Sequence, residues 1–434
     1  MNNKKRYAMV GLGVRARVFY KIIADNFRDS VELVAFCDIN RTRMEVAAKI
    51  LKEEHNYETT PAFYEADQFE KMIEEQKPDC VIVTTIDRTH HKYIAKAMDM
   101  GCDVITEKPM TMSVDKCEAI FDAIERTGKE LRVAFNYRYA PHNSKMKELL
   151  MNGTIGKVNT IHFEWMLNVR HGADYFRRWH RDKRNSGGLL VHKSTHHFDL
   201  VNFWLGTYPK TVYAMGDLMF YGRENAEERG ETKFYYRTHG SENAKGDPFA
   251  LQMEGHWLFD EMYLKAEKED GYIRDQSVFG DNISIEDTMG VLVKYEDNTI
   301  LTYNLVAYSP CEGYKVCFTG TKGRIEYEVK ETTYINGDGN YNDEGAVKSL
   351  SIKVYPMFGE PYEVEVEKGF GGHGGGDIAM MRDIFGEPGD DPLHRAATHI
   401  DGAMSIMTGI CAEKSIATGM PVNIRDEFDV KRRR

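Results

Sequence analysis

The first third of the chain alternates apolar runs with segments of helical periodicity. The runs are short and rich in valine, as in strands buried on both faces, and the segments between them place apolar residues three or four positions apart. The predicted strands are 7–10, 31–37, 79–84, 103–106 and 131–135, and the predicted helices are 63–75, 90–100 and 114–126. Strands that alternate with helices indicate an α/β domain built on a doubly wound parallel sheet.

The remainder of the chain has a different pattern. Several runs alternate strictly between apolar and polar residues, which predicts antiparallel strands buried on one face only. These strands are expected over 158–165, 291–295 and 300–305, and helices are expected near the C-terminus over 378–385 and 399–418. The change of pattern divides the chain into an N-terminal domain over 1–136 and a second domain of α+β type over 137–434.

A glycine turn follows the first predicted strand. Gly11 permits the tight turn, Gly13 lets a diphosphate approach the backbone, and Ala16 allows the next helix to pack closely on the strand. The first turn of that helix offers free N–H groups to phosphate. Asp38 ends the second strand at the distance where a carboxylate binds the ribose hydroxyls of an adenosine. The order of these features predicts a dinucleotide site.

The residues around Asp38 bear on the choice of dinucleotide. A carboxylate there repels a 2′-phosphate and favours NAD, whereas Arg41 and Arg43 just beyond it keep NADP possible. Ligands of such sheets bind outside the carboxyl ends of the strands, so polar residues at those ends are expected around one crevice. The polar residues found there are Asp38, Thr84, Glu107, Lys108 and Asn136.

Composition narrows the class of protein. The 434 residues carry 57 Lys and Arg against 68 Asp and Glu, a net charge of −11, and nucleic-acid binding depends mainly on basic side chains. Seven scattered cysteines without a CxxC pair suit free thiols in a reducing compartment. There is no apolar run near the roughly 18 residues that span a bilayer and no room for a signal peptide. We therefore expect a cytoplasmic protein without nucleic-acid or membrane partners.

Several motifs, taken in order, resemble the Gfo/Idh/MocA oxidoreductase family of NAD(P)-dependent sugar, polyol and inositol dehydrogenases. They are Gly11-x-Gly13-x-x-Ala16, the segment 84–90, Gly101-x-x-Val104-x-x-Glu107-Lys108-Pro109, and the segments 136–141 and 153–158. The resemblance implies a Rossmann domain followed by an open, mostly antiparallel sheet with helices on one face. It also implies a homo-oligomer, a dimer or tetramer, formed through the other face. Stretches near 217–290 and 330–375 look like insertions into the second domain.

The same resemblance implies which residues hold the cofactor and move the proton. In the family the lysine that matches Lys108 contacts the reacting hydroxyl, and the histidine that matches His196 acts as general acid and base toward it. His192 departs from the pattern, because many members carry aspartate there, and we include it among the catalytic candidates. The cofactor contacts are expected at Gly11, Gly13, Ala16, Asp38, Arg41, Thr84, His90, Glu107 and Lys108.

Substrate contacts are expected from four parts of the chain, one of which is the segment 136–141 with Arg138. An aromatic, donor-rich stretch over 175–183 suits stacking on a sugar and hydrogen bonds to its hydroxyls. The helix after this stretch is expected to contribute Asp199, and the glycine-rich loop 371–376 is expected to contribute His373. The candidates are Arg138, Trp179, Lys183, Asp199 and His373. Asp377 is more simply a helix cap.

His192 and His196 are four residues apart, which is also a spacing of metal ligands on a helix. A metal would need a third ligand, such as Glu164 or His373, and nothing in the sequence brings either close. We predict no metal.

The sequence thus predicts an NAD(P)-dependent dehydrogenase that takes hydride from a ring hydroxyl of a sugar, glycoside or cyclitol. One alternative is a glycosidase that recycles NAD and cleaves glycosides through a 3-keto intermediate, for which the large second domain leaves room. Another is a non-catalytic sugar or nucleotide sensor on the same fold. The presence of both Lys108 and His196 argues against the sensor.

Overall fold

The computed structural model describes residues 4–335, 347–367, 369, 372–387 and 389–433. The centre of the predicted insertion near 330–375 and the start of the glycine-rich loop lie outside these residues. Along the described chain, one domain of parallel strands is followed by a second built on a large mixed sheet.

Six parallel strands form the first sheet within the described residues, in the order β3-β2-β1-β4-β5-β6. The strands are β1 (Lys5–Val10), β2 (Val31–Asp38), β3 (Ala62–Glu65), β4 (Cys80–Val83), β5 (Asp103–Thr106) and β6 (Leu131–Val133). The helices are α1 (Ala16–Ile22), α2 (Arg41–His55), α3 (Phe69–Gln76), α4 (His90–Asp99) and α5 (Val114–Thr127). From β1 to β3 the strands are added on one side of β1, and from β4 to β6 they are added on its other side. This reversal of strand order confirms the predicted doubly wound architecture.

The helix predicted over 63–75 is wrong in its first part. Residues 62–65 form β3, which pairs with the end of β2 at the edge of the sheet, and α3 begins only at Phe69. The ring of Phe63 stacks on that of Phe36 across the two strands. The extended pairing with β2 overrides the helical spacing of the apolar residues, because aromatic residues pack well across paired strands.

Nine strands of the described chain form the second sheet, in the order β14-β13-β12-β11-β7-β10-β9-β8-β15. They are β7 (Val158–Asn168), β8 (Pro209–Asp217), β9 (Thr288–Tyr295), β10 (Ile300–Ser309), β11 (Glu312–Gly320), β12 (Gly323–Thr332), β13 (Ser349–Pro356), β14 (Tyr362–Glu363) and β15 (Val422–Asn423). The pair β7–β10 is parallel and the others are antiparallel, which confirms the open, mostly antiparallel sheet.

The part of the chain after the first domain contains the helices α6 (Pro141–Met151), α7 (Val169–Arg177), α8 (Lys183–Ser186), α9 (Leu189–His192), α10 (Thr195–Leu205), α11 (Arg223–Glu228), α12 (Trp257–Phe259), α13 (Glu267–Asp270), α14 (Gly376–Phe385), α15 (His399–Thr418) and α16 (Ile424–Glu427). Of these, α7, α15 and α16 pack directly on one face of the second sheet. The other face exposes Met215, Leu292 and Ile300. Association of copies through that face stays a prediction. Among the described residues, no helix has the length and apolar character to cross a bilayer.

The long connection between β8 and β9 does not enlarge the second sheet. Its middle part joins the core around α1 and α2 of the first domain, where Met262 and Tyr263 pack with Ala16 and Met44, whereas Val278 near its end belongs to the core of the second domain. The insertion predicted near 217–290 therefore bridges the two domains.

Candidate active site

A cleft of about 680 Å³ lies between the carboxyl ends of the first sheet, helices α7 to α10 and the insertion. Its size is within the range of small-molecule and cofactor sites. Residues from the glycine turn line one end, and Lys108, His192 and His196 line the other. A single cavity therefore joins the predicted dinucleotide site to the predicted proton-transfer site.

The glycine turn has the geometry that a diphosphate requires. Gly11 has φ of +87°, and a Cβ atom there would lie 2.6 Å from the backbone nitrogen of Thr85. Thr84 donates its hydroxyl to the carbonyl of Gly11 and fixes the turn from the next strand. Gly13 faces open space apart from the hydroxyl of Tyr263, and Ala16 is buried at the start of α1. These residues fit the diphosphate of a dinucleotide.

Asp38 lies at the end of β2 and lines the cleft. Its carboxylate accepts the N–H groups of Leu12 and Asn40, and burial raises its pKa while Arg43 opposes that effect. Arg43 lies 3.9 Å from Asp38 and 2.6 Å from Asp270 of the insertion. The two carboxylates flank one guanidinium. The structure does not bring Arg41 to the cleft, since it pairs with Glu45 on the surface of α2.

His90 and Glu107 hold the cleft wall together. The two ring nitrogens of His90 lie 2.9 Å from the carbonyl of Pro109 and 3.0 Å from that of Thr85, so the ring ties the turn after β4 to the turn after β5. Glu107 accepts hydrogen bonds from the side chain of Arg15 and from the N–H of Lys108. Both residues line the cleft and position the backbone that carries Lys108.

Lys108 presents its ammonium group to the second domain. Its Nζ lies 3.4 Å from the carbonyl oxygen of His192. Burial, together with the nearby charge of Lys193, lowers the pKa of Lys108 to about 8. A lysine with this pKa exchanges its proton near neutral pH, as a general acid or base must.

His192 has a carboxylate partner that the sequence did not reveal. Oδ2 of Asp87 lies 2.6 Å from Nδ1 of His192, and both side chains are buried. Burial raises the pKa of Asp87 and lowers the pKa of His192, because it disfavours the charged form of each group. Because Asp87 lies in the segment 84–90 after β4, the first domain supplies a carboxylate to the second.

His196 lies among other rings at the same end of the cleft. The ring of Tyr137 meets it edge to face at 4.8 Å, and that of His373 is 6.0 Å away. Burial lowers the pKa of His196 well below its usual value and keeps the ring neutral. Nδ1 of His373 lies 2.9 Å from Asp377, which also accepts from Arg15 and Asn136. The structure thus brings His373 close to His196.

His192 and His196 do not lie on one continuous helix. α9 ends at His192, a turn follows at residues 193 and 194, and α10 begins at Thr195. No group of three or more His, Cys, Asp and Glu side chains arranged for a metal ion is found in the described part of the chain.

The end of the cleft beyond His192 is aromatic and polar. The rings of Trp179 and Tyr175 both approach His192 edge to face. Next to them, His171 lies close to Glu312 and 3.1 Å from the hydroxyl of Tyr175. Aromatic faces beside such polar groups suit a ligand with several hydroxyls.

The structure does not bring Arg138 and Asp199 to the cleft. They form a two-pronged ion pair in the core, with nitrogen–oxygen distances of 2.6 and 2.7 Å. Arg138 also lies 3.1 Å from Asp401 of α15. Burial raises the pKa of Asp199 to about 6, against the effect of Arg138. Their geometry indicates a structural role, joining the 136–139 turn to α10 and α15.

Lys183 is also separate from the cleft lining. Its ammonium group pairs with Glu286 and lies 2.6 Å from Glu413. Burial, together with the charge of Glu286, raises the pKa of Glu413 to about 7. Of the two substrate candidates in the stretch 175–183, Trp179 therefore lines the cleft, whereas Lys183 belongs to this ion cluster.

We expect Asp199→Asn to lower the free energy of unfolding by about 2 kcal/mol, because Arg138 loses one of its charge-assisted hydrogen bonds in the core. Urea unfolding measures the change. Glu148→Gln, which removes an exposed ion pair with Lys145, is the matched control and should leave stability unchanged. Equal stability of wild type and Asp199→Asn, with a raised KM, would instead assign Asp199 to the substrate.

Fold and cleft together define a two-domain oxidoreductase of the dinucleotide-binding class. Residues 5–135 match the family described as "Oxidoreductase family, NAD-binding Rossmann fold", and residues 147–424 match "Oxidoreductase family, C-terminal alpha/beta domain". The chain belongs to the Gfo/Idh/MocA family of oxidoreductases, and its first domain is an NAD-binding Rossmann fold.

Full-length and partial relatives agree with this assignment. YteT of Bacillus subtilis (strain 168), named as an oxidoreductase, is 36% identical over 446 residues, covering 98% of this chain and 99% of YteT. D-glucoside 3-dehydrogenase of Escherichia coli (strain K12) is 27% identical over 203 residues, 46% of this chain and 54% of that protein. The crystal structure of an oxidoreductase domain protein from Kribbella flavida has the same fold, with a TM-score of 0.67, 15% identity and coverage of 98% and 100%.

Proposed function

We propose that this protein is an NAD-dependent dehydrogenase that oxidises a ring hydroxyl of a sugar, glycoside or cyclitol to a ketone. The observation that carries the proposal is that Lys108, His196 and the Asp87–His192 pair converge at one end of a cleft whose other end is the glycine turn. The relative named D-glucoside 3-dehydrogenase supports a carbohydrate substrate. When bound, the nicotinamide supplies the hydride acceptor.

Lys108 is the proposed base. Its amine, with a pKa of about 8, takes the proton of the substrate hydroxyl as the C–H hydrogen leaves as hydride and the C–O bond becomes a carbonyl. The carbonyl of His192, 3.4 Å from Nζ, orients the amine. In the reverse direction the ammonium form of Lys108 returns the proton to the oxygen.

His196 is proposed to orient the reacting oxygen. Its Nδ1 is buried and has no hydrogen-bond partner among the described residues. A bare lone pair in such a place costs less than an N–H group without an acceptor, which favours the tautomer with the proton on Nε2. That proton is available to donate to the substrate oxygen while Lys108 acts on its hydrogen.

The proposed preference for NAD over NADP rests on Asp38 and Asp270. Both carboxylates flank the guanidinium of Arg43, which is therefore already neutralised when the ribose arrives. A 2′-phosphate would add negative charge beside two carboxylates, and Arg41 is occupied by Glu45 on the surface. Uncharged ribose hydroxyls avoid this repulsion.

The test is a single-turnover experiment on protein mixed with NAD⁺ or NADP⁺ and a panel of free sugars, glycosides and cyclitols. Nicotinamide absorbance and mass analysis of the products are followed together. We expect reduced nicotinamide and a keto product in equal amounts, with NAD⁺ preferred. Cleaved glycoside without accumulated NADH would replace the proposal by the redox glycosidase, and cofactor binding without chemistry on the panel would contradict it.

The pH dependence of the two directions should be opposite. Oxidation requires the neutral amine of Lys108, so its kcat/KM should rise with pH through about 8 and then level off; reduction requires the ammonium form and should fall over the same interval. Initial rates from pH 6 to 10 measure both. In Lys108→Arg the side chain stays charged over this whole pH range. If that variant shows the same inflexion in its pH profile, the inflexion belongs to a group other than Lys108.

A further inference from the structure

We propose that the segment Trp257–Tyr272 of the insertion, here called the clasp, closes over the bound dinucleotide and slows its release from the protein. The proposal rests on the dinucleotide cleft of the proposed function and concerns how that cleft retains its cofactor. The clasp includes α12, α13 and the helical turn between them, and its Tyr263, Asp270 and Tyr272 line the cleft.

The clasp reaches the glycine turn directly. The N–H of Val14, one of the amides that the sequence predicted would face phosphate, donates to the hydroxyl of Tyr263 at 3.2 Å. The same hydroxyl is the atom nearest to a Cβ built on Gly13, 3.9 Å away. A phenol at this edge of the turn is placed to donate to a phosphate oxygen, and charged acceptors make the stronger hydrogen bonds.

The clasp also crosses the ribose end of the cleft. Beyond the Asp270–Arg43 ion pair, Asn40 donates its side-chain amide to the carbonyl of Ala266 at 2.9 Å. Thr42 donates both its N–H, at 3.1 Å, and its hydroxyl to Glu269. These contacts fall on the turn after Asp38, so the clasp passes over the side of the cleft where an adenosine ribose binds.

The clasp is also held by the second domain and by the rest of the insertion. The guanidinium of Arg274 lies over the ring of Tyr263 at 4.7 Å and 3.6 Å from Asp174 of α7. Arg237 makes a two-pronged ion pair with Glu267 and a further contact to Asp275. The clasp is thus tied to both domains, and a dinucleotide beneath it leaves only when these contacts to the first domain open.

The experiment measures release of NADH and needs no substrate. Protein loaded with NADH is mixed with excess NAD⁺, and the loss of bound-nicotinamide fluorescence gives the release rate. We expect Tyr263→Phe to release NADH about ten-fold faster than wild type, since the ring stays and one hydrogen bond to a charged group is lost. Asp270→Asn, which weakens the hold on Arg43, should also accelerate release.

Tyr236→Phe is the matched control, because Tyr236 lies in the same insertion with its side chain 67% exposed. It should release NADH at the wild-type rate. In hydrogen exchange on the unmodified protein, NADH should protect the amides of 257–272. Equal release from wild type, Tyr263→Phe and Asp270→Asn would overturn the clasp, as would unprotected amides over 257–272 with NADH bound. Absence of any NADH binding would overturn the proposed function together with the clasp.

Discussion

Lys108→Met should lower kcat for oxidation about 10³-fold and leave the Kd of NAD⁺ nearly unchanged. Methionine fills a similar volume but has no basic group, so the substrate hydroxyl loses the acceptor for its proton. Lys108 is itself one of the expected cofactor contacts, but most of the others, including the glycine turn and Asp38, are left in place by the substitution. Turnover of the identified substrate and titration of NAD⁺ by fluorescence give the two quantities.

Lys193→Met is the matched control for this prediction. It removes a second ammonium group from the same cleft but leaves Lys108 in place, and because the charge of Lys193 lowers the pKa of Lys108, that pKa should rise in the variant. The control should therefore retain activity, with the inflexion of oxidation moved to higher pH. Equal loss of kcat in the two variants would contradict a specific role for Lys108.

Most of the first domain could be predicted because its strands and helices carry strong local signals. The buried strand Cys80–Val83 is almost wholly apolar, and the predicted bounds of α4 and α5 each differ by one residue from the observed His90–Asp99 and Val114–Thr127. β3 was missed because a four-residue edge strand has no pattern of its own. Its structure depends on pairing with β2, a contact that helical periodicity does not report.

The sequence was less able to separate residues of the cleft from buried ion pairs. Arg138 and Asp199 are polar residues near the catalytic motifs, which is where substrate contacts are also found. Only the structure shows that they satisfy each other in the core, at 2.6 and 2.7 Å. Burial of a charge requires a partner, and the identity of that partner depends on the packing of distant segments.

The clasp residues illustrate a further limit. Tyr263 and Asp270 lie in a charged, turn-rich stretch that carries neither a motif nor a clear period. The nearest signal was the length of the insertion, which indicates extra structure without saying where it packs. Val14 and Tyr263 are 249 residues apart along the chain, so their contact arises only from the tertiary fold.

Asp87 could have been found from the sequence, because it lies between Thr84 and His90 at the end of a strand that borders the cleft. The sequence also shows a histidine at position 192, where many members of the family have an aspartate. The structure connects the two observations, because Oδ2 of Asp87, in the turn after β4, lies 2.6 Å from Nδ1 of His192 in α9. A carboxylate is thus present at this place although residue 192 does not supply it.

Asp87→Asn should therefore lower kcat about 10²-fold with little change in the Kd of NAD⁺. Asp87 is a positioning residue: its carboxylate orients the ring of His192, whose backbone carbonyl holds Lys108. The amide of asparagine carries no charge and cannot accept a proton from the ring, so it fixes the tautomer of His192 less firmly. A split between a large effect on kcat and a small one on KM distinguishes this role from loss of substrate binding.

The double variant Asp87→Asn/His192→Asp tests whether the carboxylate itself is needed at this point of the cleft. It returns one carboxylate to the pair from the opposite side, so we expect it to recover part of the kcat lost in Asp87→Asn. Thermal unfolding of both variants shows whether either change acts through stability, since a buried pair that loses one member is destabilised. Wild-type kcat in folded Asp87→Asn would contradict the role, because the contact between Asp87 and His192 would then have no bearing on Lys108 or on the substrate.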